Sequence, residues 1–279
     1  MTKKAKRYSG DGWHGGFGYS FYAGLIILFF YLPILIVILF SFNAGKSATN
    51  FTGFSFRWYQ SLFNTRDLMI ASWNTFSIAF LATFISTVLG TLGSLGLAQI
   101  KKHNPFYARI ILWINDLPVV NPDIVTAAGL YALFFALRSI LPLGYMTMLL
   151  AHIAFCTPYV VIQVYPKVLQ LDPAEMEAAM DLGARRRQAI MKVVVPDLLP
   201  SILSGALMAF SISFDDFIVS YFVGGSTDNI ATIVYANSKK FDNTYYALMS
   251  LIFIIIAVAI TLFEAIDLKK NNGENSLVG

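Results

Sequence analysis

The chain has 279 residues, of which 57% are apolar, 15% aromatic and only 13% charged, about half the charged share of an ordinary soluble domain. A water-soluble enzyme is excluded, because a soluble chain of this length needs a polar surface that these counts do not supply. The net charge of +4 comes from basic residues that flank apolar blocks, as membrane topology requires, whereas nucleic-acid binding would need a continuous basic patch.

A mean hydropathy of +0.63 is concentrated in six apolar blocks, at 21–42, 74–98, 108–137, 143–165, 198–223 and 244–266. Each can cross a hydrocarbon core about 30 Å thick. Blocks this long and continuous fit helices rather than the alternating strands of a barrel. The expected fold class is therefore all-α: a polytopic membrane protein with residues 1–20 before, 21–267 as a domain of six transmembrane helices, and 268–279 as a tail. Lys3, Lys4, Lys6 and Arg7 resemble the charged start of a secretory signal, yet no small-residue cleavage site ends the first block, which reads as a retained span. Lys and Arg favour the inner side of a membrane. With the N-terminus inside, the inner segments hold fourteen of them and the outer segments six, so both termini are expected in the cytoplasm.

The first outer segment, FSFRWYQSLF at 54–63, has the pattern of an amphipathic helix lying at the interface, where Trp and Tyr are favoured. In the second block Gly90, Gly93 and Gly96 form a small-residue face for helix packing. The third block carries Asp116 and Asp123, seven apart and so on nearly the same helical face. An ionised Asp near the bilayer centre costs roughly 2.5–3.5 kcal/mol, so each needs a partner, water or a function. Pro118 and Pro122 interrupt this block, and Asn121 can cap a restarted half-helix whose second residue is Asp123. Two readings of Asp123 stay open: a carboxylate that repairs a broken backbone through the helix dipole, or one that lines a pathway, since discontinuous spans recur at transport sites. In the fourth block the single cysteine, Cys156, reads as a small packed hydrophobe, and His152 as a satisfied core histidine. The three histidines lack metal-ligand spacing, so no metal is expected.

The loop at 166–197, cytoplasmic in this orientation, leads into the fifth block and reads LDPAEMEAAMDLGARRRQAIMKVVVPDLLP over 171–200. Asp172 as N-cap, Pro173 at the first helical position and Glu175 three residues after the cap agree on a helix start. Gly183 ends it, and a second helical stretch over 184–195 is expected to stop at Pro196. Helices this short need a surface for Met176, Ala179 and Met180. With Ala178 and Ala179 permitting close approach and Glu177 reaching a donor, the first is either a helix-in-groove docking element or a cap on the bundle. Arg185, Arg186 and Arg187 invite comparison with a DNA-binding helix-turn-helix, but two flanking spans deny access to a major groove, and the arginines fit lipid headgroups or a docked partner.

In the fifth block Asp215 and Asp216 are adjacent and diverge by about 100° on a helix, so one of them faces a pathway, or both are exposed at the interface. The second outer segment, 228–240, has Ile230, Ile233 and Val234 at helical spacing and fits a surface helix. Spaced carboxylates with aromatic faces suit a flexible chain bearing separated ammonium groups. Tyr131, Tyr159 and Tyr221 offer such faces, unless they pack in the core or against lipid.

Glu177, Ala178 and Ala179, then Gly183, Val193, Val195 and Pro196, resemble the EAA signature of ABC importer membrane subunits, E-A-A-x3-G-x9-I-x-L-P, with Val replacing Ile and Leu. The resemblance extends over nearly the whole chain: GFSFRWYQSLF at 53–63, NPDIV at 121–125 and SFDDFIVSYFVGG at 213–225 are similar to segments of the spermidine/putrescine permease family, C type. It implies a type I, MetI-like importer permease in a bacterial inner membrane, with Glu177, Ala178, Ala179, Gly183 and Pro196 coupling to a cytosolic ATPase. Two ATPase copies, a second permease in a heterodimer and an external substrate-binding protein are implied with it. No G-x4-G-K-[ST] loop occurs, so ATP and Mg are expected on the ATPase and no cofactor on this chain. Substrate-pathway candidates are Asp123, Asp216, Asp215, Asp116, Tyr131 and Tyr159. The alternative is a self-sufficient secondary transporter or channel for a cationic solute, with the acids coupling to protons or sodium.

Overall fold

Helices account for the regular structure in the computed structural model, which describes residues 17–47, 49–238, 243–258 and 261. Among them the single β feature is an isolated antiparallel bridge between Asn43 and Phe54. Lys3, Lys4, Lys6, Arg7, Lys239, Lys240, Lys269, Lys270, the 268–279 tail and most of 259–266 lie outside the described residues. The chain divides into two units, 1–64 with 240–279, and 65–239.

In the first unit α1 (Phe17–Ser41) is apolar all round and largely exposed, as a span facing lipid must be. The loop after it is organised by the buried Asn43 side chain. Its Nδ2 donates to Ser47 O and Asn50 O, each at 2.9 Å, and its Oδ1 accepts from Thr52 N at 2.8 Å. The outer amphipathic helix forms as α2 (Arg57–Asn64), but its Trp58 is no interfacial anchor: Trp58 and Leu62, four apart on one face, are buried, and Trp58 Nε1 donates to Asn43 O at 2.6 Å. Tyr59 Oη bridges Ser41 Oγ (2.8 Å) and Ser250 Oγ (2.6 Å), which ties α1 and α2 to the last described helix, Asn243–Val258.

The second unit is built on α3 (Arg66–His103), whose 38 residues outrun the bilayer. The third predicted span is two helices, α4 (Pro105–Val120) and α5 (Asp123–Ala136), bent by 108°. Pro122, not Asn121, occupies the cap, and Asp123 is the first residue of α5. The bend removes the common face expected for Asp116 and Asp123. Beyond α6 (Tyr145–Val168) and α7 (Pro173–Asp181), α8 (Arg186–Ala189) runs through a π-helical turn, Ile190–Val194, into α9 (Val195–Asp215). The helix therefore does not stop at Pro196. In the π turn Val195 N–H bonds to Ile190 O, and the wider turn passes the proline, which has no N–H to give and crowds the preceding turn of an ordinary helix. The fifth predicted span ends early, at Asp215, and resumes as α10 (Ile218–Val223). In α11 (Ile230–Ala236), Ile230 and Ile233 are buried rather than on the surface.

α3, α6 and α9 enclose the core, with Ile78, Met148, Cys156, Val160, Val164 and Leu198 buried in one cluster. Close approach centres on Val160. A Cβ on Gly90 would lie 2.7 Å from its side chain, and one on Gly205 would lie 3.3 Å away. Gly93 and Gly96 do not share this role, since a Cβ on either meets nothing within 4 Å.

Candidate functional site

Two interrupted helices meet at one cavity of about 500 Å³. Asp215 closes α9, and Asp216 leaves it with extended backbone (φ −64°, ψ 125°), so the divergence expected on a continuous helix does not apply and both carboxylates line the cavity. Asp123 reaches it from the first position of α5, where the helix dipole favours a negative charge. Phe155, Tyr159, Phe217 and Thr126 complete the relevant walls. Asp116 is placed elsewhere, half-buried on α4 with its Oδ1 accepting from Asn115 Nδ2 at 3.1 Å. Tyr131 lies tilted against Phe135 and edge-on against Phe222, with ring centroids 5.6 and 6.3 Å apart, and so packs rather than lines. Four of the six pathway candidates thus converge.

The three cavity carboxylates are held differently. Asp216 Oδ2 accepts from Ser220 N at 2.7 Å and from Ser220 Oγ at 2.8 Å, and its Oδ1 accepts from Val219 N at 3.2 Å. His152 Nε2 lies 3.5 Å from the same carboxylate and 3.0 Å from Ser220 Oγ, and His152 Nδ1 is 2.7 Å from Ser213 Oγ. Because Ser220 gives its one hydroxyl proton to Asp216, His152 donates to Ser220 through Nε2. Asn229 closes the network, donating to Ser220 Oγ at 2.8 Å and to Asp216 O at 3.0 Å. This buried network joins α6, α9, α10 and the start of α11 and fixes the break. Asp123 and Asp215 are exposed in the cavity, and neither has an ion pair among the described residues.

Sequence reasoning identifies His152 as a satisfied core histidine, and it is buried and hydrogen-bonded, but neither its place beside Asp216 nor the role of Phe155 is read from sequence. A signal existed for the first: an acid within an apolar block needs a partner, and His152 is the basic group in the middle of such a block. Chemically the cavity offers two unneutralised carboxylates and aromatic faces, a combination that attracts organic cations.

The second candidate region is the 166–197 loop. Asp172 Oδ1 accepts from Ala174 N at 2.9 Å and starts α7 at Pro173, as expected. Gly183 ends it in the left-handed region, at φ +90°. Met176 packs against the core of its own unit, and Ala179 and Met180 are half-buried, whereas Glu177 and Ala178 are exposed. Leu182, one turn beyond Ala178 on the same side, is 90% exposed. Sequence reasoning does not single out this residue. Pro196 lies in the first turn of α9, at the other end of the loop.

Residues 90–268 match the family described as binding-protein-dependent transport system inner membrane component. The chain is 32% identical over 249 residues to the spermidine/putrescine transport system permease protein PotC of Haemophilus influenzae, covering 89% of this chain and 95% of that protein. It is 34% identical over 201 residues to the putrescine transport system permease protein PotI of Escherichia coli K12, 71% of each. Among solved structures, a chain of a bacterial ABC transporter involved in the import of the acidic polysaccharide alginate aligns with a TM-score of 0.67 at 16% identity, over 88% of this chain and 92% of that one. The likeness is one of fold, and the fold is that of an ABC importer permease.

Proposed function

We propose, from the premise that this chain belongs to the family of binding-protein-dependent transport system inner membrane components, that it passes polyamines such as spermidine and putrescine across a bacterial inner membrane as half of an ATP-driven importer. One observation carries the substrate class: Asp123 and Asp215 come from two different helix breaks to one aromatic-walled cavity, and among the described residues neither has an ion pair. A flexible chain with separated ammonium groups satisfies both acids while its methylenes lie on Tyr159 and Phe155. Asp216 serves this site as its scaffold.

The remaining parts follow from the same reading. A second permease subunit completes the pathway in a heterodimer, an external binding protein delivers substrate, and two cytosolic ATPases bind ATP with Mg. Both termini and the 166–197 loop face the cytoplasm, and residues 21–267 form the six-helix domain. Glu177 and Ala178 of α7, with the exposed Leu182 just past its end, form the face that enters an ATPase cleft, with Gly183 and Pro196 setting the shape of the loop. ATPase closure moves α7 as a rigid element and switches the spans between inward-open and outward-open states.

Uptake of radiolabelled putrescine by proteoliposomes that hold the complete assembly, with binding protein outside and ATP inside, tests the proposal. Asp215→Asn and Asp123→Asn are each expected to lower uptake about tenfold, since a hydrogen bond to a charged group contributes roughly 1.5–3 kcal/mol. ATP-independent uptake through this chain alone would instead establish a secondary transporter or channel.

A further inference from the structure

We infer that this chain holds an anionic phospholipid where the last turns of α3 meet α7 and the π-helical turn. A second cavity, of about 640 Å³, opens there. Lys101 and Lys102 of α3 and Arg186 of α8 stand at its polar side, and among the described residues none has a carboxylate within 4 Å. The acid in the lining, Asp172, has Oδ1 engaged with Ala174 N–H. The other wall is apolar, formed by Leu95, Val168, Met176, Ile190 and Val194. Gly96 also faces this space, and a Cβ built on it meets no atom within 4 Å. The glycine therefore serves no helix contact within this chain and leaves room for a ligand.

Depth decides the class of ligand. Leu95 and Gly96 belong to the apolar block that ends at 98, and Lys101 and Lys102 follow it within one turn. The cavity therefore runs from hydrocarbon to headgroup level along α3. A phospholipid has the same profile: its phosphate meets the three cations, and an acyl chain lies on the apolar wall. An acidic segment of a soluble partner reaches the cations and the loop side of the wall, but not Leu95 and Gly96, which lie inside the apolar block of α3. Met176 links this site to α7, so a bound lipid braces the helix that carries Glu177. This goes beyond the transport reading and does not depend on the identity of the transported solute.

The test is native mass spectrometry on the full-length chain in detergent, offered dioleoylphosphatidylglycerol or dioleoylphosphatidylcholine. Phosphatidylglycerol is expected to be retained at least tenfold better. Lys101→Gln with Lys102→Gln should weaken its retention about 30-fold, at roughly fivefold for each cation near a membrane surface. Gly96→Leu, whose Cβ meets no protein atom within 4 Å and whose side chain enters the cavity, should displace the lipid while the unfolding temperature holds. Equal retention of the two lipids, or retention unchanged in both variants, overturns the proposal. Full displacement by millimolar inorganic phosphate reassigns the site to a free anion. Variants that keep the lipid but lose co-purification of the ATPase reassign it to a protein contact.

Discussion

Asp215 and Asp216 are neighbours, yet protein donors fill the carboxylate of Asp216 while that of Asp215 has no ion pair among the described residues. Asparagine at 216 would turn an amide N–H2 toward at least one of the donors its carboxylate now accepts, Val219 N–H on one oxygen or Ser220 N–H and O–H on the other. Asp216→Asn should therefore cost about 1–3 kcal/mol, seen as a lower unfolding temperature in detergent. Asp215→Asn should leave that temperature unchanged and lower uptake. His152→Ala, which strips Ser213, Ser220 and Asp216 of one partner, should destabilise by a similar amount. At this scale the sequence discloses the acids but not their partners. Asp123 is visible as costly, and the break at Pro122 beside it is visible too, whereas Pro118, also expected to interrupt, lies inside α4. The pairing of His152 with Asp216 spans more than sixty residues and exists because α9 breaks where local propensity continues.

Helix contacts divide the glycines of α3 into two kinds. Gly90→Val drives side-chain atoms into Val160 and should cost about 1–3 kcal/mol through overpacking, whereas Gly93→Ala meets open space and should be neutral or stabilising by up to about 1 kcal/mol through helix propensity. Thermal unfolding of the two variants side by side checks the difference. Gly183→Ala tests the loop: at φ +90° a side chain strains the backbone, although nothing crowds it. Roughly 1–2 kcal/mol is expected, with less ATPase co-purifying. The start of α7 is legible because Asp172 and Pro173 act locally. The passage through Pro196 is not, since the π turn that admits the proline depends on how α9 packs. The periodicity of 54–63 shows a helix, but not that Trp58 turns inward to Asn43.

That the molecule is an all-helical membrane protein is what sequence discloses best at this scale, because the length and apolar continuity of its blocks need no tertiary detail. Its orientation can be checked with the single native cysteine, which is fully buried and leaves a clean background. Gln188→Cys in the exposed loop should react with a membrane-impermeant maleimide in inverted vesicles and stay unlabelled in intact cells. The reverse pattern would invert the chain. One continuous helix, Arg186–Asp215, joins the two candidate regions. Its thirty residues span about 45 Å, with the loop arginines at one end and the unneutralised cavity acid at the other. In the proposed importer it acts as a connecting rod: a stroke applied at the arginine end passes the π turn at Ile190–Val194 and is delivered at the acid end along one helix, so grip on the cargo and engagement of the motor are two readings of one displacement.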